Sequence, residues 1–89
     1  MNTKNWNVEI NLGEQEGLTH AEARLVVGET TKTLIGSGTA RLSPSDADVP
    51  EIGDELATAR ALSDLAHRLL DIAAGEIEAI THEPVQLYS

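Results

Sequence analysis

The sequence predicts an α+β domain in which a three-stranded antiparallel sheet is followed by one long helix and a short C-terminal helical or extended segment. Two observations support this prediction. Three segments before residue 43 alternate apolar and polar side chains, which is the period of a half-buried strand. After residue 50, apolar residues recur at the three- and four-residue spacing of an amphipathic helix. A length of 89 residues favours a single domain over residues 1–89.

The first predicted strand has an apolar residue at every second position, namely Trp6, Val8, Ile10 and Leu12. Trp6 begins this apolar face, so we expect it to anchor the core at one end of the sheet. Residues 13–17 are polar and bounded by glycines, which is typical of a connection between the strands of a hairpin.

The second and third predicted strands cover residues 19–27 and 31–42, with a turn at residues 28–30 between them. On the third strand, Gly36 and Gly38 fall on the inner face. Because glycine has no side chain, we expect these two positions to let the helix approach closely or to permit a bulge.

The helix has two candidate starts, a capping-box pattern at residues 48–51 and a second acidic segment at residues 53–55. We expect it to end near Ala74, with Gly75 as a left-handed cap. A short second helical segment then runs to Pro84, and residues 85–88 form an edge strand or a docked tail.

Two apolar stripes lie side by side on the helix and are together wider than contact with a three-stranded sheet requires. A three-stranded sheet also leaves two unpaired edges, which favour association unless they are covered. We therefore predict a homodimer, although a C-terminal segment folded back over the helix is an alternative. The candidate residues for the core or the dimer interface are Leu56, Leu62, Leu65, Leu69, Leu70 and Ile72. We expect a solvated face opposite the stripes, made of Arg60, Asp64, His67, Arg68 and Asp71.

The composition excludes several classes of protein. Cysteine is absent, which rules out disulfides and zinc-thiolate sites and fits a reducing compartment. The opening residues resemble no signal peptide and no segment has the length of a membrane span, so we expect a cytoplasmic protein. A net charge of −9 disfavours indiscriminate binding of nucleic acid.

Candidate catalytic and metal-binding patterns are weak. Asp64, His67 and Asp71 share a helix face, but neighbouring arginines disfavour a cation there. The acids of residues 46–55 are explained by helix capping, and the glycine pair around Ser37 lacks the spacing of a phosphate loop or a nucleophile elbow. His20 and His82 have no adjacent nucleophile. We therefore expect no enzyme, no cofactor and no metal.

Few cations are available for a phosphate-binding surface. The candidate contacts for a phosphate or for a partner are Arg24, Lys32 and Arg41, on or near the outer face of the sheet. Glu9 and Glu22 lie among them, so a solvated surface of mixed charge is the competing interpretation.

Two segments resemble a known family. Residues 49–57 read Val-Pro-Glu-Ile-Gly-Asp-Glu-Leu-Ala within a longer matching stretch at residues 40–70, and residues 4–10 read Lys-Asn-Trp-Asn-Val-Glu-Ile. Together they resemble a small actinobacterial family of unknown function that includes dormancy-associated proteins. That family is described as resembling the double-stranded-RNA-binding fold without its first helix, and its dimers have been compared with ribosome hibernation-promoting factors. The resemblance implies a homodimeric β-β-β-α domain linked to the ribosome, with no catalytic residues to carry over.

The first functional hypothesis is therefore a non-enzymatic, stress- or dormancy-associated homodimer that acts at the ribosome. Hibernation factors bind ribosomal RNA through basic surfaces, so a chain of net charge −9 fits a basic ribosomal protein better than RNA. The alternative is a general protein-interaction module with a basic protein partner, and a third hypothesis is a binder of a small molecule or a metal.

Overall fold

The computed structural model describes residues 2–28, 33–41 and 49–87. Strands β1 (Trp6–Gln15), β2 (Leu18–Val27) and β3 (Thr33–Arg41) precede helix α1 (Pro50–Thr81). The strands form one antiparallel sheet in the order β1-β2-β3. The predicted α+β class, with three strands followed by one long helix, is confirmed.

The hairpin between β1 and β2 is tighter than predicted. The ladder continues to the pair Gln15 and Leu18, so the connection is the two residues Glu16 and Gly17. Both have positive φ angles, 52° and 77°, as in the two-residue turns whose twist matches that of antiparallel strands. The prediction of a longer connection over residues 13–17 was wrong, because Gly13 pairs with His20 inside the ladder.

Helix α1 is continuous through Gly75, so the predicted glycine cap and the separate second helical segment were both wrong. A glycine inside a helix costs only about 1 kcal/mol relative to alanine, and good helix formers flank this one. The left-handed residue that ends the helix is His82, with φ 61°, and its N–H donates to the Glu78 carbonyl oxygen at 2.7 Å.

The helix begins at Pro50, a residue suited to a first helical position because it lacks an N–H donor. The preceding residue, Val49, makes no side-chain cap. The predicted cap Asp48 lies outside the described residues. The alternative start at residues 53–55 was wrong, since these residues lie inside the helix and Gly53 is buried.

Gly36 and Gly38 let α1 approach the sheet closely, as predicted. A Cβ at Gly36 would lie 2.5 Å from the Ala61 carbonyl oxygen and 2.8 Å from the Leu65 Cα, and one at Gly38 would lie 2.7 Å from the Arg60 carbonyl carbon. Small side chains fill the rest of this contact, so the core is thin. Its buried apolar residues are Ala21, Ala23, Leu25, Ala40, Ala57, Ala61 and Leu65.

Helix α1 covers β3 and β2 and leaves the inner face of β1 open. Trp6 is 55% exposed and Leu12 is 48% exposed, so the predictions of a half-buried first strand and of a tryptophan anchoring the core were wrong. A helix about 10 Å in diameter spans about two strands spaced about 4.8 Å apart. The glycines on β3 set the helix over that side of the sheet.

The C-terminal part of α1 extends beyond the sheet. The 32 residues of the whole helix correspond to a length of about 48 Å, whereas the ten residues of β1 or β2 correspond to about 33 Å. The buried helix residues all lie between Gly53 and Leu65, and Ile80 is 80% exposed. Within the described residues, α1 lacks the apolar length that crossing a membrane requires.

Candidate interaction surface

Two side chains of α1 bind the free edge of β3. The Ser37 N–H donates to Asp64 Oδ2 at 2.8 Å, and Arg60 Nη1 donates to the Thr39 carbonyl oxygen at 2.8 Å. Arg68 Nε donates to the same Asp64 oxygen at 3.1 Å. The prediction that these residues form a solvated face away from the sheet was wrong for Arg60 and Asp64, which complete hydrogen bonds of the edge strand.

These contacts lower the pKa of the Asp64 carboxyl below its usual value. The largest cause is the hydrogen bond from the Ser37 N–H, followed by the hydrogen bond from Arg68. Because this N–H and the Thr39 carbonyl oxygen are already bound, the β3 edge is a poor template for a further strand.

The opposite edge of the sheet carries no such protection. Strand β1 pairs with β2 on one side, and no other described segment pairs with it. It runs for ten residues without lysine, arginine or proline, the residues that commonly block edge strands. The edge of β1 is therefore open for association.

The inner face of β1 continues onto one flank of α1. In the sheet register, Leu12 lies opposite Ala21, which lies opposite Gly38, where α1 packs. Leu62 is two residues from Asp64, hence about 200° around the helix from the flank that binds β3. We call the exposed side chains of Val8, Leu12 and Leu62 the β1 face.

The predicted helix residues divide by burial. Leu65 is buried against the sheet, and Leu69 and Leu70 are half-buried. The other three are more exposed: Leu56 at 44%, Leu62 at 42% and Ile72 at 47%. One monomer sheet therefore leaves part of the two predicted stripes uncovered.

A cleft of about 350 Å³ opens at the end of the sheet where α1 leaves it. Alanines fill the contact in the core, whereas leucines and a valine line this end, so the helix and the sheet no longer meet in close contact. Its apolar walls are Trp6, Leu25, Val27, Leu34, Leu69 and Ile72. Glu76 supplies the one titratable side chain in the lining, and Thr33 completes it.

The candidate phosphate contacts do not come together. Arg24 and Arg41 share the outer face of the sheet, but Arg24 pairs in register with Ile35, six residues before Arg41 on the neighbouring strand. The separation is about 20 Å along the strand. Glu9 lies directly opposite Arg24 on the other side, and Lys32 lies outside the described residues.

The candidate metal triad is not assembled. Asp64 binds β3, and His67 Nδ1 donates to the Ser63 carbonyl oxygen at 2.8 Å. In residues 2–28, 33–41 and 49–87, no three His, Asp or Glu side chains form a group able to hold a metal ion. His20 and His82 lie at separate ends of the chain, on β2 and just after α1.

Glu76 and the edge-binding role of Arg60 and Asp64 were not predicted from the sequence. A signal for the first was present, because the chain has no lysine or arginine after Arg68. The roles of Arg60 and Asp64 depend on contacts with residues 21 and 27 positions away, which no local spacing reveals. Leu69 and Ile72 of the cleft were predicted only as residues of the core or of a dimer interface.

Comparisons with known proteins give a consistent group of relatives. A sequence family described as Rv2632c-like matches residues 4–86. The uncharacterized protein Mb1767 of Mycobacterium bovis is 55% identical over 84 residues, covering 94% of this chain and 87% of its own. The uncharacterized protein Rv2632c of Mycobacterium tuberculosis is 45% identical over 82 residues, covering 92% and 86%. A crystal structure of Rv2632c matches with a TM-score of 0.82 and 43% identity, covering 94% of this chain and 98% of that one.

Proposed function

This chain belongs to the Rv2632c-like family, and we propose that it is a non-enzymatic homodimer that binds a basic protein partner, with the ribosome in stress or dormancy as its setting. The observation that carries the homodimer is the uncovered β1 face. The described relatives are similar over most of their length, so the same exposed strand and helix flank are expected in them.

The β1 face exposes apolar side chains that lie next to one another. Val8 and Leu12 are each at least 44% exposed on one strand face, and Leu62 on the adjoining flank of α1 is 42% exposed. Contiguous exposed apolar surface of this kind is typical of association sites. The unprotected edge of the same strand adds backbone hydrogen-bonding groups that a second copy can pair. Two-fold symmetry brings identical β1 faces together and closes the assembly.

The charge supports a basic partner. Fifteen acidic residues oppose six basic ones, and two of the six, Arg60 and Arg68, already bind groups of the chain itself. An acidic surface of this kind speeds association with positively charged proteins and disfavours phosphate backbones. A basic ribosomal protein therefore fits the surface better than ribosomal RNA does.

The proposal that this chain is not an enzyme is supported by the contacts of its polar side chains. Asp64 and His67 are engaged with Ser37 and with the Ser63 carbonyl oxygen. Among the described residues, no three His, Asp or Glu side chains form a group able to hold a metal ion. An interaction role needs only the exposed surfaces.

Co-sedimentation with ribosomes tests the setting. Stationary-phase extract is fractionated on sucrose gradients over a series of salt concentrations, with the protein detected in each fraction. We expect co-sedimentation at low salt that weakens as salt rises, because the contact joins an acidic surface to a basic one. An Arg24→Ala/Arg41→Ala variant should co-sediment as well as the wild type.

Absence from the ribosomal fractions at every salt concentration would contradict the ribosomal setting. Loss of co-sedimentation in the Arg24→Ala/Arg41→Ala variant would instead indicate contact with phosphate through the outer sheet face.

A further inference from the structure

We propose that the cleft at the projecting end of α1 is the docking site for the basic partner, and that it takes a basic amphipathic segment of a protein. The inference rests on the proposed function for the charge of the partner. It adds the site, the residues that recognise the partner and the chemistry of the segment.

The cleft is built for an apolar side chain beside a cation. Leu69 and Ile72 of α1 face Trp6 across an apolar opening, and Glu76 lies one helical turn beyond Ile72. A volume of about 350 Å³ is at the lower end of the range for binding pockets, which suits one or two inserted side chains. The long stem of an arginine or lysine can lie on the apolar walls while its charged group reaches the carboxylate.

The end of α1 and the residues that follow it carry charge of one sign. From residue 69 to residue 87 the chain has no lysine or arginine and has four acids, Asp71, Glu76, Glu78 and Glu83. Acidic residues near the C-terminal end of a helix are unfavourable with respect to the helix dipole. Glu78 has a structural role, because its Oε1 accepts a hydrogen bond from the Val85 N–H at 2.8 Å. Within residues 2–28, 33–41 and 49–87, the Glu76 side chain makes no hydrogen bond or ion pair, so its carboxylate is available to a cation.

The apolar surface extends from the cleft along the end of α1. Ile77 is 38% exposed and Ile80 is 80% exposed, on the part of the helix that projects past the sheet. A partner segment with apolar residues on one side and cations on the other can follow this surface. The same chemistry excludes an acidic segment, which would meet Glu76.

Trp6 provides the measurement, because it is the single tryptophan of the chain and lines the cleft. The probe is a synthetic helical peptide of leucine and arginine, about four turns long, with a leucine–glutamate peptide of the same pattern as its control. We expect the leucine–arginine peptide to change the emission of Trp6 in a saturable way and the leucine–glutamate peptide to leave it unchanged.

Two charge reversals separate the cleft from general attraction to an acidic protein. Glu76→Lys and Glu14→Lys change the net charge equally, but Glu14 lies at the far end of β1. Lysine is favourable near a helix C-terminus, so Glu76→Lys should retain the fold. We expect Glu76→Lys to weaken peptide binding about ten-fold or more, because it replaces an attraction by a repulsion, and Glu14→Lys to change it less than two-fold.

Equal losses in the two variants, or no response of Trp6 to the leucine–arginine peptide, would overturn the inference. Light scattering on Glu76→Lys keeps this result separate from the homodimer, since the variant should retain the wild-type assembly. A chain that is monomeric yet shows the expected peptide result would contradict the homodimer and leave the cleft assignment standing.

Discussion

The Asp64 carboxylate accepts a hydrogen bond from the backbone N–H of Ser37, 27 residues earlier, at 2.8 Å. This bond ties α1 to the outer edge of β3, and the Arg60 contact with Thr39 repeats the arrangement one turn away. Because α1 is fixed at β3, the opposite strand β1 remains uncovered. The two edges of the sheet therefore differ, one closed by the helix and one open.

The Asp64 contact predicts a pH dependence of stability. Its pKa is lowered in the folded chain by the Ser37 N–H and by Arg68, from the ordinary value of 3.8. A lowered pKa stabilises the fold fully above that value, and the contribution is lost as pH falls through the folded pKa. In urea unfolding, we expect the difference in the free energy of unfolding between the wild type and Asp64→Asn to be largest near neutral pH. This difference should shrink below about pH 4.

Asp71→Asn is the matched control for that measurement, since Asp71 is an exposed aspartate of the same helix. Its difference from the wild type should be small at each pH. A difference between the wild type and Asp64→Asn that stays constant from pH 7 to pH 3 would show that the charged contact with Ser37 does not stabilise the fold.

The close contact between α1 and β3 predicts a strong effect of a single methyl group. Gly36→Ala places a Cβ against the backbone of Ala61 and Leu65, so we expect a loss of about 2–3 kcal/mol in the free energy of unfolding. Gly13→Ala is the control, because nothing lies within 4 Å of its Cβ position and its φ is not positive. Denaturation curves that shift equally for the two variants would contradict the close contact.

Gly75 distinguishes a continuous helix from one that ends there. Inside α1, with no atom within 4 Å of a Cβ, Gly75→Ala should raise the free energy of unfolding by about 0.5–1 kcal/mol. A left-handed cap at this position would give the opposite sign, because alanine is strained at positive φ. The midpoint of thermal unfolding, measured for the wild type and for Gly75→Ala, shows directly whether the substitution stabilises the fold.

Thr19 carries a buried hydroxyl with no hydrogen-bond partner among the described residues. Valine has nearly the same shape and no polar atom, so Thr19→Val should raise the free energy of unfolding by about 1 kcal/mol. Thr39→Val, at an exposed position of β3, should change it by less than about 0.5 kcal/mol. A destabilised Thr19→Val chain in urea unfolding would indicate that the hydroxyl has a partner.

The sequence predicted local structure better than burial. Alternation identified β1 correctly as a strand, and the glycines of β3 correctly predicted where the helix approaches. Burial of Trp6 could not be predicted, because it depends on which strands the helix covers. The close approach at the β3 glycines is joined there by Arg60 and Asp64, whose contacts span more than twenty residues.

In the candidate site too, local features were predictable from the sequence and features that depend on distant contacts were not. Helical periodicity correctly indicated more apolar surface on α1 than one sheet covers, which includes Leu62 and Ile72. The cleft depends on where α1 leaves the sheet, and that follows from the continuous helix through Gly75. A helix that ended near residue 74 would not place Glu76 beside Trp6.

Leu12→Glu and Asn11→Glu test the role of the β1 face in assembly. Leu12 and Asn11 are neighbours on β1 and point to opposite faces of the sheet. Because a charge on the β1 face must be desolvated on association, Leu12→Glu should weaken the dimer by at least ten-fold. The Asn11→Glu variant adds the same charge and should assemble as the wild type does.

Sedimentation equilibrium of the wild-type chain at micromolar concentration measures the central claim, that a second copy covers the β1 face. We expect a species of twice the 9.5 kDa monomer mass, which Leu12→Glu shifts towards the monomer and Asn11→Glu does not. A wild-type chain that sediments only at 9.5 kDa, or a dimer that Leu12→Glu leaves intact, would contradict that claim.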